Sequence, residues 1–211
     1  MKKIGKLEKL QYLFLPNKKL NYFIISIIIL GVIFGSLFLT VISNSDKNLV
    51  ITKITDFFTS VTNNSLNYQQ AFISSILINY IYIFLIALLG LSIVGIPFIV
   101  FLIFFKGFII GFSVASLIVT YKLKGIIPSI LYIFPCQLLN ILVVLLLSIY
   151  GLTLAKHIFL LLFNKSKINI KNTFKKFIVI IIIALFLSLI ATCFEVFVFP
   201  FLTKLYLKLF I

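Results

Sequence analysis

The stretch "GLSIVGIPFIVFLIFFKGFIIGFSVASLIV", residues 90–119, decides the fold class of this chain. It is apolar almost throughout, and from residue 98 onward it is longer than the roughly 18 apolar residues that mark a transmembrane helix. A single charge, Lys106, lies inside it beside a glycine. The stretch therefore predicts a membrane-spanning helix that carries a lysine, and the role of that lysine is the first question about function.

The composition of the whole chain gives the same fold class. Of the 211 residues, 63% are hydrophobic, whereas soluble domains are about 45–50% apolar. Several other runs are as long and as apolar as the first. A membrane β-barrel shows short segments of alternating hydrophobicity instead. We therefore predict an all-α, multi-pass membrane protein.

The charges lie mostly between the apolar runs. Lysines account for all 19 basic residues, against 4 acidic residues, and the formal net charge is +15. A balance this basic is also typical of nucleic-acid binding, but lysines in the loops between spans act as topology signals and contact anionic lipid. We therefore expect the bilayer, and no nucleic acid, as the partner of these charges.

The chain is predicted to form one membrane domain, 1–211, with about five spans. Gly95 and Pro97 separate the second span from the third, and Pro135 breaks a fourth segment that is too long for a single crossing. That segment is expected to form a short or re-entrant piece followed by a full span. The predicted spans are 20–42, 71–91, 98–121, 126–155 and 177–199.

Three segments lie outside these spans. Residues 1–19 combine lysines with apolar residues at the spacing of an amphipathic, cytoplasmic surface helix. Residues 43–70 form an outer loop, in which "TKITDFFTSV", residues 52–61, is predicted to fold as a short interfacial helix. Residues 200–211 form an interfacial tail.

The distribution of lysines predicts the orientation. With the N-terminus inside, twelve lysines are cytoplasmic and six are outside. The positive-inside rule therefore favours a cytoplasmic N-terminus and an extracytoplasmic C-terminus. The outer six are Lys47, Lys53, Lys122, Lys124, Lys204 and Lys208.

A search for catalytic patterns finds none. The chain lacks H-E-x-x-H for zinc and G-x-S-x-G for a serine nucleophile. Asp46 and Asp56 both belong to the outer loop, and His157 lies at the end of a span beside a lysine. Cys136 and Cys193 form no C-x-x-C pair and are interpreted as small buried hydrophobes. We expect no catalytic residue, no metal site, no cofactor and no enzyme activity.

Two ionisable residues, Lys106 and Glu195, lie within the predicted spans, where such residues usually have a function. At 1.5 Å per residue Lys106 is about 13 Å and Glu195 is about 27 Å from the cytoplasmic side. This difference in depth argues against contact between the two side chains unless a helix is broken. One alternative is a lysine that snorkels to the interface together with an interfacial glutamate. Another is a small transporter or channel in which both charges line a polar route.

Small residues recur on the third span. Gly107, Gly111 and Ala115 are spaced by four, the small-xxx-small pattern that lets two helices approach closely. Packing within this chain is favoured over dimerisation.

These pieces, taken in order, resemble the stage II sporulation protein M family of endospore-forming bacteria. The resemblance rests on "LLGLSIVGIP" with Gly95 and Pro97, on "FLIFFKGFIIGF" with Lys106, Gly107 and Gly111, and on "FEVFVFP" with Glu195 and Pro200. Two positions depart from the family pattern. Pro135-Cys136-Gln137 stands where the family usually has Pro-Gln-Asn, and Ile141-Leu142 stands where it has Ile-Pro.

The resemblance implies a role in engulfment, in which the mother-cell membrane migrates around the forespore. It implies a non-enzymatic scaffold at the sporulation septum and the engulfing membrane. The partners implied are a lytic transglycosylase and a membrane-anchored peptidoglycan amidase/endopeptidase. It also marks helix-packing or partner-interface residues, namely Gly95, Pro97, Lys106, Gly107, Gly111, Pro135, Glu195 and Pro200.

Overall fold

The structure is a computed structural model that describes residues 18–162 and 170–210. Within these ranges the chain is helical and contains no strand. Five helices are long and apolar enough to cross a membrane. The predicted all-α class with five spans is confirmed, whereas the orientation of the termini stays a prediction. The amphipathic segment predicted over 1–19 lies almost entirely outside the described residues.

Eight α-helices follow one another along the described chain. A kinked segment, Tyr132–Gln137, and a π-helical turn, Phe194–Val198, interrupt the sequence of helices, and a 3-10 turn covers Lys122–Gly125. The helices are α1 Lys18–Val41, α2 Asn44–Thr62, α3 Tyr68–Gly90, α4 Gly95–Tyr121, α5 Ile126–Leu131, α6 Leu138–Leu162, α7 Ile170–Cys193 and α8 Phe199–Phe210.

Helix α6 forms the centre of the bundle. It contacts α1, α3, α4 and α7, and its residues Leu147 and Ile149 are completely buried. The surrounding helices turn large apolar side chains outward, for example Phe84 at 62% and Phe186 at 66% exposure. Such an exposed apolar surface suits contact with lipid rather than with water.

The chain reverses direction after α4. Lys122 has φ 52° and ψ −133°, a backbone conformation that non-glycine residues rarely adopt. Helix α5 then packs back against α4. The Ser129 hydroxyl of α5 donates to the Gly125 carbonyl at 2.7 Å. Phe134, with φ −108° and ψ 119°, ends this helical stretch, as expected for a residue before a proline.

This reversal changes the bounds of the fourth span. The prediction placed it at 126–155, but the long helix α6 covers Leu138–Leu162. The residues before Pro135 form a short helical piece, as the sequence analysis expected, and this piece folds back beside α4. At its other end α6 continues past Lys156, and His157 Nδ1 lies 3.0 Å from Thr173 Oγ1 of α7.

The predicted outer loop is mostly helical. Helix α2 has 19 residues and is capped by the Ser43 hydroxyl, which accepts from the Asp46 amide at 3.2 Å. It contacts α4 and α8. Helix α8 contains most of the predicted tail and also contacts α5, so α2, α5 and α8 meet at the predicted outer end of the bundle.

Candidate functional site

Helices α1 and α4 pack through glycines. Gly107 and Gly111 of α4 face α1, and Gly31 and Gly35 of α1 face α4. A Cβ atom on any of the four would overlap a backbone carbonyl of the opposite helix. The two backbones are therefore in direct contact, as in small-xxx-small pairs of membrane helices, and this contact is made within one chain. The carbonyls are those of Phe104, Phe108, Ile28 and Val32.

Lys106 lies next to this contact and is buried, with 8% of its surface exposed. Its Nζ atom is 5.2 Å from the centre of the Tyr82 ring on α3. A cation within about 6 Å of an aromatic face is attracted by the ring electrons. Lys106 thus has a partner inside the bundle, rather than an extended route to the interface.

Glu195 lies in the π-helical turn between α7 and α8. Its Oε2 atom accepts a hydrogen bond from the Ser75 hydroxyl at 2.7 Å, and its Oε1 atom accepts from Gln137 Nε2 at 3.4 Å. Both partners are neutral. The contacts described for Glu195 and for Lys106 are therefore different ones, with Ser75 and Gln137 for the carboxylate and with the Tyr82 ring for the ammonium group.

The kinked segment Tyr132–Gln137 supplies the groups opposite Glu195. Gln137 Nε2 also donates to the Tyr132 hydroxyl at 2.9 Å, within the same segment. This segment contacts the π-helical turn that contains Glu195. Here they bring Tyr132, Gln137 and Glu195 together from distant parts of the sequence.

A second polar contact lies one turn away. Asn79, on α3, donates to the Thr192 hydroxyl of α7 at 3.2 Å, and both residues are buried. Asn79 follows Ser75 by four residues and Thr192 precedes Glu195 by three, so each pair shares a helix face. Two successive side-chain hydrogen bonds therefore join α3 to α7 and to the π-helical turn that follows α7.

A cavity of about 260 Å³ opens beside Glu195. Ser75, Tyr132 and Glu195 contribute polar groups to its wall, and aromatic and apolar residues complete it. Lys106 does not line this cavity. The aromatic and apolar part of the wall consists of Phe57, Leu66, Tyr68, Ala71, Val196, Phe199 and Pro200.

The helices that contribute the residues described above match one sequence family. The family described as Stage II sporulation protein M matches residues 24–200, which include all five long helices in whole or in large part. The chain belongs to this family. Membership confirms the resemblance and identifies a multi-pass membrane protein of sporulation. No curated protein and no solved structure matches the chain.

The motifs of the stage II sporulation protein M family fall at three places in the structure. Gly95 is the buried first residue of α4, where a Cβ would overlap the Leu89 carbonyl. Pro97 is in the first turn of the same helix, where a missing amide hydrogen costs nothing. Glu195 and Pro200 meet at the cavity. Pro135 follows the break at Phe134.

Several residues of the glycine contact and of the polar contacts around Glu195 were not singled out from the sequence. Gly31 and Gly35 had a recognisable signal, because they have the same four-residue spacing as Gly107 and Gly111. Ser75, Tyr132 and Thr192 had none. Isolated hydroxyl residues in apolar runs are common, and only the folded chain shows which of them face Glu195 or Asn79.

Proposed function

We propose that this sporulation membrane protein is a non-enzymatic scaffold for engulfment. In this role it anchors peptidoglycan hydrolases at the sporulation septum and in the engulfing membrane of the mother cell. The observation that carries the proposal is that residues of the motifs that resemble the family act as packing groups. Gly107 and Gly111 join α4 to α1, and Lys106 packs on Tyr82.

The proposed partners follow from the family. They are a lytic transglycosylase and a membrane-anchored amidase/endopeptidase, both of which act on peptidoglycan outside the membrane. Helix α2 supports this assignment because it lies on the predicted outer side and exposes charged and apolar side chains. These include Leu49 and Lys53. A helix surface of this kind offers both steering charges and apolar contact area to a protein partner.

The polar groups described above also support a role without catalysis. Lys106 contacts the Tyr82 ring of α3, and Glu195 contacts Ser75 of α3 and Gln137, so both charged groups join separate segments of the bundle. The residues 18–162 and 170–210 contain no group of three potential metal-ligating side chains among His, Cys, Asp and Glu. The transporter alternative has less support, because the cavity at Glu195 does not include Lys106.

Deletion of the protein in its own sporulating bacterium tests the cellular role. Membrane-dye imaging is expected to show septa at which engulfment stops, and the wild-type gene is expected to restore migration of the membrane. Normal engulfment in the deletion strain would contradict the proposal.

The scaffold role is tested by purification of a tagged chain from sporulating cells. We expect both hydrolases to co-purify with the wild type and to be reduced with Lys53→Glu on α2. Lys175→Glu is the matched control, because Lys175 is equally exposed but lies on the predicted cytoplasmic side. Absence of both hydrolases from the wild-type preparation, or equal loss with both variants, would contradict this role for α2.

A further inference from the structure

Glu195 has unused capacity to bind a cation. Each of its carboxylate oxygens accepts one hydrogen bond, from Ser75 at 2.7 Å and from Gln137 at 3.4 Å. A carboxylate has about four acceptor positions. The second of these bonds is also long for a hydrogen bond. The carboxylate lies in a membrane-spanning segment, where a charge without a close counter-charge is costly.

The cavity beside Glu195 has aromatic walls. Phe57, Tyr68, Tyr132 and Phe199 line it together with the carboxylate. The rings are held by one another: Phe57 stacks on Phe199 at 5.9 Å between centroids, and Tyr132 meets Phe199 edge-on at 5.7 Å. Tyr68 stacks on Phe197 at 5.9 Å. These contacts fix the orientation of the cavity wall before any ligand enters.

We propose that this cavity binds an ammonium group. One carboxylate balances one positive charge through charge-assisted hydrogen bonds, and aromatic faces attract organic cations, as in sites for quaternary ammonium ligands. A bare divalent ion is a poorer match, because Ca²⁺ and Mg²⁺ require six or more oxygen ligands. The wall combines aromatic and aliphatic carbon with few oxygen atoms.

The volume and position of the cavity limit the ligand. About 260 Å³ accommodates a small amine or a lipid headgroup but not a peptide chain. Helices α2 and α8 both contribute to the wall, so the cavity lies at the predicted outer end of the bundle. Two sources supply the same chemistry there: the headgroup of an ethanolamine phospholipid in the bilayer, and a soluble amine outside. The proposal is independent of the hydrolase partners.

Lipid retention on the purified full chain in detergent tests the proposal. Native mass spectrometry measures the bound fraction of a phosphatidylethanolamine and of a phosphatidylglycerol with the same acyl chains, and soluble ethanolamine is added as a competitor. We expect ethanolamine compounds to bind and phosphatidylglycerol not to compete. Glu195→Gln is expected to weaken binding by about 10- to 100-fold, the usual effect of losing a hydrogen bond to a charged group.

A matched control and a second variant keep the test decisive. Asp56→Asn removes an exposed carboxylate from α2, and it is expected to leave binding unchanged. If Glu195→Gln does not give a monodisperse protein, Tyr68→Leu replaces it, because this change removes one aromatic wall and leaves the hydrogen bonds of Glu195 intact.

The outcomes separate the two sources. Binding of phosphatidylethanolamine alone assigns the site to a lipid headgroup, and binding of soluble ethanolamine with equal or better competition assigns it to a free amine. The proposal is overturned if neither binds, if phosphatidylglycerol binds as well as phosphatidylethanolamine, or if the variant used retains full binding.

Discussion

Gly111 and Val32 lie so close together that a single methyl group would not fit between them. A Cβ atom on Gly111 would stand 2.8 Å from the Val32 carbonyl carbon, and closer still to its oxygen. Because the obstacle is backbone, it cannot rotate away as a side chain would. The spacing of α1 and α4 therefore depends on the absence of a side chain at this position.

Gly111→Ala is expected to destabilise the protein by about 1–3 kcal/mol, the usual cost of overpacking. The measurement is thermal or denaturant unfolding of the purified chain in detergent. Gly151→Ala is the matched control. A Cβ on Gly151 meets its nearest atoms, Gly90 Cα and Ile99 Cδ1, at an ordinary 3.6 Å, and alanine also favours the helix. Equal stability of the two variants would show that α1 and α4 do not pack as described.

The contact between Lys106 and Tyr82 is expected to appear as a coupling energy. A double-mutant cycle with Lys106→Met and Tyr82→Leu should give about 0.5–2 kcal/mol, the range of cation–π pairs from exposed to desolvated sites. Tyr121→Leu provides the control for the second position, because Tyr121 is at the far end of α4 and packs on Phe58. Additive effects of Lys106→Met and Tyr82→Leu would contradict the contact.

Lys106→Met alone is expected to impair folding and assembly less than Gly107→Leu or Gly111→Leu. Methionine retains most of the volume of lysine and removes a buried charge, whereas leucine forces the two backbones apart. The yield of monodisperse protein and its unfolding midpoint measure both effects. The reverse order would mean that the charge matters more than the glycine contact.

The hydrogen bond between Asn79 and Thr192 is expected to contribute modestly. Thr192→Val keeps the shape of the side chain and removes the acceptor, and we expect a loss of about 0.6–1.7 kcal/mol, as for other hydrogen bonds between membrane helices. Thr153→Val is the control, since the Thr153 hydroxyl donates only to the Ile149 carbonyl of its own helix among the contacts described. Unfolding midpoints that shift equally would mean that the bond between α3 and α7 contributes nothing specific.

The orientation is testable by labelling. In a background with Cys136→Ala and Cys193→Ala, a membrane-impermeant maleimide applied to intact cells should modify Lys53→Cys and not Lys175→Cys. Both positions are exposed, so accessibility within the fold does not distinguish them. The opposite pattern would place the N-terminus outside.

The sequence predicted the elements that depend on local composition. Apolar runs indicated five spans, and the Gly107-xxx-Gly111 spacing marked a helix face. The short piece before Pro135 was expected from the excess length of the fourth segment. The reversal at Lys122 was not, because a lysine with positive φ is not expected from its residue type. The comparison of the depths of Lys106 and Glu195 assumed regular, unbroken α-helices. This assumption does not hold at Glu195, which lies in the π-helical turn Phe194–Val198.

The folded-back segment also constrains when the protein becomes complete. The Lys124 carbonyl, in the turn after α4, accepts a hydrogen bond from the Tyr206 hydroxyl at 3.1 Å, and α8 packs on both α2 and α5. Some eighty residues of synthesis separate the donor from its acceptor. During translation the turn and α5 are therefore made before α8, which packs against them in the folded chain. The contacts at the predicted outer end of the bundle can form only after α8 has been synthesised.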